Sequence, residues 1–349
     1  MVEKRLLEEL VEVQNELSEV SEGLKRDKEN YENQSKSLEA PQNPHKNINN
    51  VINSKKNSNK REKKEPTYDK RNLLNNLTGA EWLPETKSFS YQKGLGSKHP
   101  HAQIERQHPA PFSFKDIQKL ITFFTKEGMH VLDPFGGVGS TAKACGLSNR
   151  VCTSIELTKQ WNDLAIERLE TEVGEGSSLK HNFINGDSSE VLNKIDEHSI
   201  DFIVTSPPYW SILNKKADHK VMNERVKNNL ATNYSEANSK DIGHIENYQE
   251  FLDTLINDFF IPCGRVLGEK KYFAIVVSDF RNKSKYISFH SDIIQRLSGY
   301  PICSKYQFSL QGCKVLLQNH KSLLPYGYPF AYVENIHHQY ILIFRKEKK

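Results

Sequence analysis

The sequence predicts an α/β protein with a doubly wound, mostly parallel sheet of seven strands, and three observations carry that prediction. After residue 67, short β-rich runs alternate with helical stretches, the order that βαβ units produce. The first run leads through a glycine-rich loop into a helix, as the ligand edge of an open α/β sheet requires. Acidic residues end or follow three successive runs, at Asp133, Glu156 and Asp187.

The strand candidates are 129–133 (MHVLD), 151–156 (VCTSIE), 181–184 (HNFI), 201–205 (DFIVT), 271–277 (KYFAIVV), a region within 306–317, and 339–345 (QYILIFR). Their content of Val, Ile and Phe suits strands buried on both faces. Helical candidates lie near 140–147, 158–172, 247–262 and 289–298. At 349 residues the chain has room for one large domain, or two with a linker.

Upstream of this region the composition changes twice. Residues 1–27 carry heptads, with Leu6, Val13 and Val20 at one seam position and Leu10, Leu17 and Leu24 at the other. About three heptads make a marginal isolated helix, so this segment reads either as a dimerising or partner-binding helix or as a tail helix resting on its own domain. Residues 28–66 are rich in Asn, Ser, Lys and Glu and nearly free of aromatics. Such a stretch cannot bury enough apolar surface to offset its ordering entropy, and it is expected to be a disordered linker. It holds nine Lys/Arg and five Glu, which accounts for the whole formal excess of +4 and leaves 39 basic and 39 acidic residues elsewhere. The run KKNSNKREKK reads as a solvated spacer able to grip phosphates nonspecifically. Residues 67–349 are left as one folded domain.

Several classes are disfavoured at this level. No apolar run approaches the roughly 18 residues of a membrane span, and the amino-terminal segment is too charged for a signal peptide, so an unexported cytoplasmic protein without membrane contact is expected. Five cysteines with no CxxC pair argue against a disulfide framework or a zinc ribbon. His337 and His338 are adjacent at a strand entrance and therefore point to opposite faces, which reads as structural or surface-facing with no metal site. The aromatic run Tyr326, Tyr328, Phe330 and Tyr332 can stack on bases or pack the sheet, and sheet packing is the safer expectation.

The loop Asp133-Pro-Phe-Gly-Gly-Val-Gly-Ser-Thr141 lets the backbone turn tightly and approach a ligand, with a helix amino terminus behind it. By itself a glycine-rich loop is a weak signal. Gly137-Val-Gly139-Ser-Thr-Ala142 also fits the dinucleotide fingerprint, with Glu156 placed 19 residues after Gly137 for a ribose. Locally, NAD and other adenosyl ligands both fit. Asp187, in the turn after the third strand, is placed to accept from an adenine amino group.

The fourth strand ends in Val204-Thr205-Ser206-Pro207-Pro208-Tyr209-Trp210. Two prolines fix φ, remove two N–H donors and hold the preceding residues extended, so the carbonyls of Ser206 and Pro207 lack local partners. Rigid acceptors beside aromatic rings suit a planar group bearing an NH2, for which a dehydrogenase has no evident use. First and fourth strands are neighbours in a doubly wound sheet, so the two loops are expected to face each other.

Together, Asp133-Pro-Phe-Gly-Gly-Val-Gly139 and Thr205-Ser-Pro-Pro-Tyr209 resemble the S-adenosylmethionine-dependent DNA amino-methyltransferases, which modify N4 of cytosine or N6 of adenine. The resemblance spans roughly residues 75–349 and includes His108-Pro-Ala-Pro-Phe112 and Pro325-Tyr-Gly-Tyr-Pro329. It implies a Rossmann-like methyltransferase sheet, S-adenosylmethionine as cofactor and double-stranded DNA as substrate. Phe135, Gly137 and Gly139 would contact the cofactor, Asp133 would lie near its methionine part, Glu156 would bind ribose and Asp187 adenine. Ser206 and the Pro207 carbonyl would accept from the target amine, with Pro208 stiffening the loop and Tyr209 stacking on the base. Ser-Pro-Pro-Tyr after Val-Thr resembles the cytosine-N4 branch; adenine-N6 enzymes usually carry Asp or Asn at the Ser206 position. The resemblance further implies a flipped base, direct in-line transfer and a restriction-modification setting with a cognate endonuclease as partner. Residues 211–247, with Lys215, Lys216, Lys220, Arg225 and Lys227, are the expected DNA-recognition insertion. The competing readings are a noncatalytic DNA- or partner-binding module and, last, an NAD oxidoreductase.

Overall fold

The computed structural model describes residues 68–92, 95, 99–109, 112–212 and 238–349. All of them belong to the second of two compact units, Glu65–Lys349. The heptad segment 1–27, the linker 28–66 and most of the 211–247 insertion lie outside the described residues.

The main sheet has eight strands: β1 (Phe89–Tyr91), β2 (His130–Asp133), β3 (Val151–Glu156), β4 (Asn182–Asn185), β5 (Ile200–Thr205), β6 (Leu267–Val277), β9 (Tyr306–Leu317) and β10 (His338–Lys348). A separate hairpin is formed by β7 (Phe280–Asn282) and β8 (Lys285–Ile287). The main sheet runs in the order β1-β9-β10-β6-β5-β2-β3-β4. Its pairs are parallel except where β10 lies antiparallel between β6 and β9. All seven anticipated strands are present, and β1 is an additional short edge strand pairing with the end of β9.

Alternation on the strands builds a core on each face of the sheet. On β5, Phe202 packs with Val131, Ile117, Ile121 and Val276 on one side, whereas Ile203 packs with Phe251, Phe260, Phe273 and Leu342 on the other. Helices cover both layers: α1 (Gly79–Glu85), α2 (Phe114–Phe124), α3 (Ser140–Gly146), α4 (Lys159–Glu172), α5 (Ser188–Leu192), α6 (Tyr248–Thr254), α7 (Ile261–Val266) and α8 (Phe289–Leu297). Between α6 and α7 the chain winds as a π-helix over Leu255–Phe260, just before Pro262, which has no N–H to donate.

Helix α2 shows why such elements form. Ile117, Leu120, Ile121 and Phe124 follow helical spacing and are buried. Each such side chain contributes roughly 1.5–3 kcal/mol of hydrophobic stabilisation. The helix stops where Thr125 turns extended and donates its hydroxyl to Ile121 O. Cys145, Cys152 and Cys263 are buried, Cys303 and Cys313 are exposed, and all five are free thiols. Among the described residues, no helix is long and apolar enough to cross a membrane.

Candidate functional site

Parallel strands deliver β2, β3, β4 and β5 to one edge of the sheet, where their carboxyl ends meet. Strands β2 and β5 pair directly, Val131 with Phe202 and Leu132 with Ile203, so the glycine loop and the Ser-Pro-Pro-Tyr loop leave the sheet side by side. Between the loops lies a cavity of about 830 Å³ including its open mouth.

Asp133 joins the two loops from beneath. It is fully buried and accepts hydrogen bonds from Thr141 Oγ1 (2.5 Å), Thr205 Oγ1 (2.6 Å) and the Phe135 N–H (3.1 Å). Burial pushes its carboxyl up to about 6 despite those three donors. Asp133 is not among the residues lining the cavity. Its contacts fix the start of the glycine loop, the start of α3 and the end of β5, which is a positioning role.

The glycine loop is held as tightly from within. Gly136 N–H donates to Ile155 O (2.8 Å), Gly137 N–H to Glu156 Oε2 (2.8 Å) and Gly139 N–H to Gly136 O (2.9 Å). Two of its glycines are dictated by neighbours: a Cβ on Gly136 would lie 2.1 Å from Ser154 Oγ, and one on Gly139, where φ is +73°, would lie 2.8 Å from the Ala165 Cβ. Gly139 therefore serves helix packing and is not among the cavity-lining residues, whereas Gly137 and Phe135 do line the cavity. Behind the loop, the buried Arg168 guanidinium donates to Val138 O (3.1 Å) and Ser140 Oγ (3.0 Å) and pairs with Glu105 (2.6 Å).

Glu156 is the best-placed acid. Oε2 accepts from Gly137 and Oε1 from the Thr158 N–H (2.8 Å), and the side chain lines the cavity. Burial pushes its carboxyl up to about 7, opposed by the two backbone donors. Asp187 also lines the cavity, with Oδ1 capping α5 through the Ser189 N–H (2.9 Å) and Oδ2 3.9 Å from Lys240 Nζ. Asp241 is a third lining carboxylate, and Lys240 is the lining ammonium. Sequence reasoning missed both, because they sit in a turn with no repeating pattern. It also missed Trp161, Val138 and Phe259. A signal for Trp161 was present, since an aromatic on the first turn of the helix after β3 faces the loop that precedes that helix.

Ser206 and Pro208 line the cavity beside these groups. Pro207 is buried and is not among the lining residues. Tyr209 is half-buried, its ring edge-on to Phe289 at 6.2 Å. Its hydroxyl accepts from Gln339 Nε2 (3.4 Å), while burial holds its ionisation above the ordinary tyrosine range. Gln318 extends this support, donating to Gln92 Oε1 (2.8 Å) and Gln339 Oε1 (3.1 Å). Trp210 is buried and donates its indole N–H to Ile245 O (2.8 Å). The aromatic run also departs from expectation: Tyr328, Phe330 and Tyr332 are exposed and do not pack the sheet. His338 Nε2 lies 3.1 Å from Tyr340 Oη, and among the described residues no group of three His, Cys, Asp or Glu side chains could hold a metal.

The donor set decides which adenosyl ligand the cavity fits. A dinucleotide pyrophosphate needs free loop N–H groups and cations. Here the N–H groups of Gly136, Gly137 and Gly139 are engaged within the protein, and three carboxylates face one ammonium along the lining. This arrangement suits a ligand with hydroxyls, an amine and positive charge. The residues fit S-adenosylmethionine and disfavour NAD.

Comparison with known proteins agrees in kind. The DNA methylase family model matches residues 13–167, which include the glycine loop and Glu156 and stop before Ser206. The chain is 41% identical over 71 residues to the orphan methyltransferase M.BamHII of Bacillus amyloliquefaciens, covering 20% of this chain and 27% of that protein. It is 38% identical over 65 residues to the Type II methyltransferase M.Cfr9I of Citrobacter freundii, covering 19% and 22%. The matched stretch thus spans about a quarter of the length of these curated relatives. Among solved structures, TrmN from Thermus thermophilus superposes with a TM-score of 0.42 at 15% identity, covering 73% of this chain and 54% of that one. Over residues 13–167 the chain is thus similar to the DNA methylase family, and the match draws no line between its N4 and N6 branches.

Proposed function

We propose that the protein is an S-adenosylmethionine-dependent DNA methyltransferase acting on an exocyclic amine, with N4 of cytosine as the target atom. The observation that carries this reading is a single cavity lined at once by the glycine loop, by Glu156 and by Ser206. Phe135, Gly137, Glu156 and Asp187 would hold the adenosyl group, with Asp133 keeping both loops in register from below.

A nucleobase amine is a poor nucleophile because its lone pair is delocalised into the ring. Ser206 Oγ and the Pro207 carbonyl accept its N–H bonds, favour a pyramidal nitrogen and orient the lone pair toward the cofactor side of the cavity. The chemistry supplied by bound S-adenosylmethionine is a methyl group on a positively charged sulfur, already activated for transfer. A protein nucleophile is therefore unnecessary, consistent with the buried thiols of Cys152 and Cys263, which burial holds above the ordinary cysteine range. The target amine is inaccessible within a duplex, so the base turns out of the stack to reach Ser206, at a cost of a few kcal/mol.

Serine at position 206 favours cytosine-N4; adenine-N6 is the alternative within the same chemistry. The Type II and orphan methyltransferases among the relatives support a restriction-modification role on double-stranded DNA, with or without a cognate endonuclease. Dimerisation through residues 1–27 is part of the same proposal. The test is transfer of labelled methyl from S-adenosylmethionine to unmethylated plasmid DNA. Wild-type protein transfers, and Ser206→Ala and Tyr209→Ala lose transfer by at least about a hundredfold while still binding S-adenosylhomocysteine. Wild-type rates in both variants would refute the assignment.

A further inference from the structure

The segment between β9 and β10 has no part in the cavity, yet it leaves the sheet on the same side. Strand β9 runs parallel to β6 and ends at Leu317, opposite His338, so residues 318–337 lie at the carboxyl edge beside the Ser-Pro-Pro-Tyr loop. Gln339 and Gln318, at the two feet of this segment, belong to the amide chain that reaches Tyr209 Oη.

The segment is ordered at its base and apolar at its tip. Asn335 clasps Leu324 with two hydrogen bonds (3.0 and 2.9 Å). Gly327, at φ +75°, closes a turn by accepting from the Phe330 and Ala331 N–H groups, each at 2.7 Å. Yet Tyr328, Phe330 and Tyr332 are 81%, 93% and 83% exposed. Three neighbouring rings held out in water on a braced loop are costly unless something covers them.

Charge identifies the occupant. The β7–β8 hairpin springs from the same edge, joined to the foot of the loop by Ser278 Oγ donating to His338 O (3.3 Å). It carries Arg281, Lys283 and Lys285 and no acid, whereas residues 318–337 carry one charge of each sign, Lys321 and Glu334. Outside residues 28–66 the chain is otherwise charge-balanced. Cations flanking exposed rings match a polyanion that offers flat apolar faces, which is the surface of nucleic acid. An acidic protein partner would satisfy the cations and leave the rings without planar partners.

We propose that the loop bearing Tyr328 and Phe330 is a base-stacking wedge, entering the duplex where the target base has left and stacking on its neighbours, while the β7–β8 hairpin holds the adjacent phosphates. This rests on the reading of the protein as a DNA methyltransferase that extrudes its target base. A wedge offsets the unstacking cost, which is largest in duplex DNA and absent in single strands.

The test uses the full chain. Replacing both rings (Tyr328→Ala with Phe330→Ala) is expected to lower kcat/KM on unmethylated duplex plasmid at least about tenfold. The loss on heat-denatured plasmid is expected to be smaller, and affinity for S-adenosylhomocysteine is expected to be unchanged. Tyr328→Trp with Phe330→Trp should retain duplex activity. Equal losses on duplex and denatured plasmid, or no loss on duplex, overturn the proposal. A second readout is independent of methyl transfer: in Phe330→Trp, duplex DNA should quench the added indole fluorescence saturably relative to wild type. If wild-type protein methylates no DNA, the methyltransferase reading fails, while the quench still reports on the loop. Absence of quench overturns the wedge, as does self-association without DNA that Tyr328→Ala with Phe330→Ala abolishes.

Discussion

Raising the pH from 6 to 8 is expected to tighten S-adenosylhomocysteine binding through the state of one carboxyl group. In the free protein Glu156 is pushed up to about 7, with burial as the main cause. Each of its oxygens already accepts one backbone N–H, from Gly137 or Thr158. The remaining lone pairs can accept from a ribose diol only if no proton occupies them. About a tenth of the sites are ionised one pH unit below that value and about nine tenths one unit above it, so affinity should rise about tenfold across the interval. Folding stability moves the opposite way. A carboxyl whose folded value is raised keeps its bound proton as an advantage below its unfolded value of 4.5, and that advantage is lost as pH rises toward 7. The loss is at most about 3 kcal/mol. Isothermal titration calorimetry at pH 6, 7 and 8 on wild type and Glu156→Gln measures the binding effect. The variant should bind more weakly at pH 8 and show little pH dependence. A flat wild-type profile, or the same slope in the variant, would refute the reasoning.

Three further outcomes test how the site is held. Gly136→Ala brings a Cβ within 2.1 Å of Ser154 Oγ and should lower stability in urea by about 1–3 kcal/mol; adding Ser154→Gly should restore much of it. Arg168→Met leaves Glu105 unpaired and frees the Val138 carbonyl behind the glycine loop, which should cost about 3–5 kcal/mol and weaken S-adenosylhomocysteine binding. Thr205→Val removes a donor from the buried Asp133 and should cost about 1–3 kcal/mol in a denaturant titration.

Much of the sheet was legible because its strands are long runs of Val, Ile and Phe whose alternation is forced by two buried faces. The edge strand Phe89–Tyr91 was not, because three residues carry no period and its pairing with Leu317 joins positions more than two hundred residues apart. The hairpin around Lys283 and the five-residue helix after Asp187 are short for the same reason. At the site, the residues anchored to strand ends were readable. Glu156 and Ser206 reach the cavity because the sheet's parallel register carries them there. Asp133 shares that register yet points inward, since Thr141 and Thr205 supply buried donors that only the folded chain brings together. Lys240 and Asp241 arrive from a turn distant in sequence. The exposure of Phe330 departs from the sheet packing that most aromatic runs adopt.

The central claim is that Ser206 and the glycine loop serve one reaction on a nucleobase amine. Mass spectrometry of nucleosides from plasmid DNA incubated with the protein and S-adenosylmethionine tests it most directly. The account predicts N4-methylcytosine. N6-methyladenine would move the protein to the other branch, and the absence of any methylated exocyclic amine in DNA that the protein binds would contradict the account.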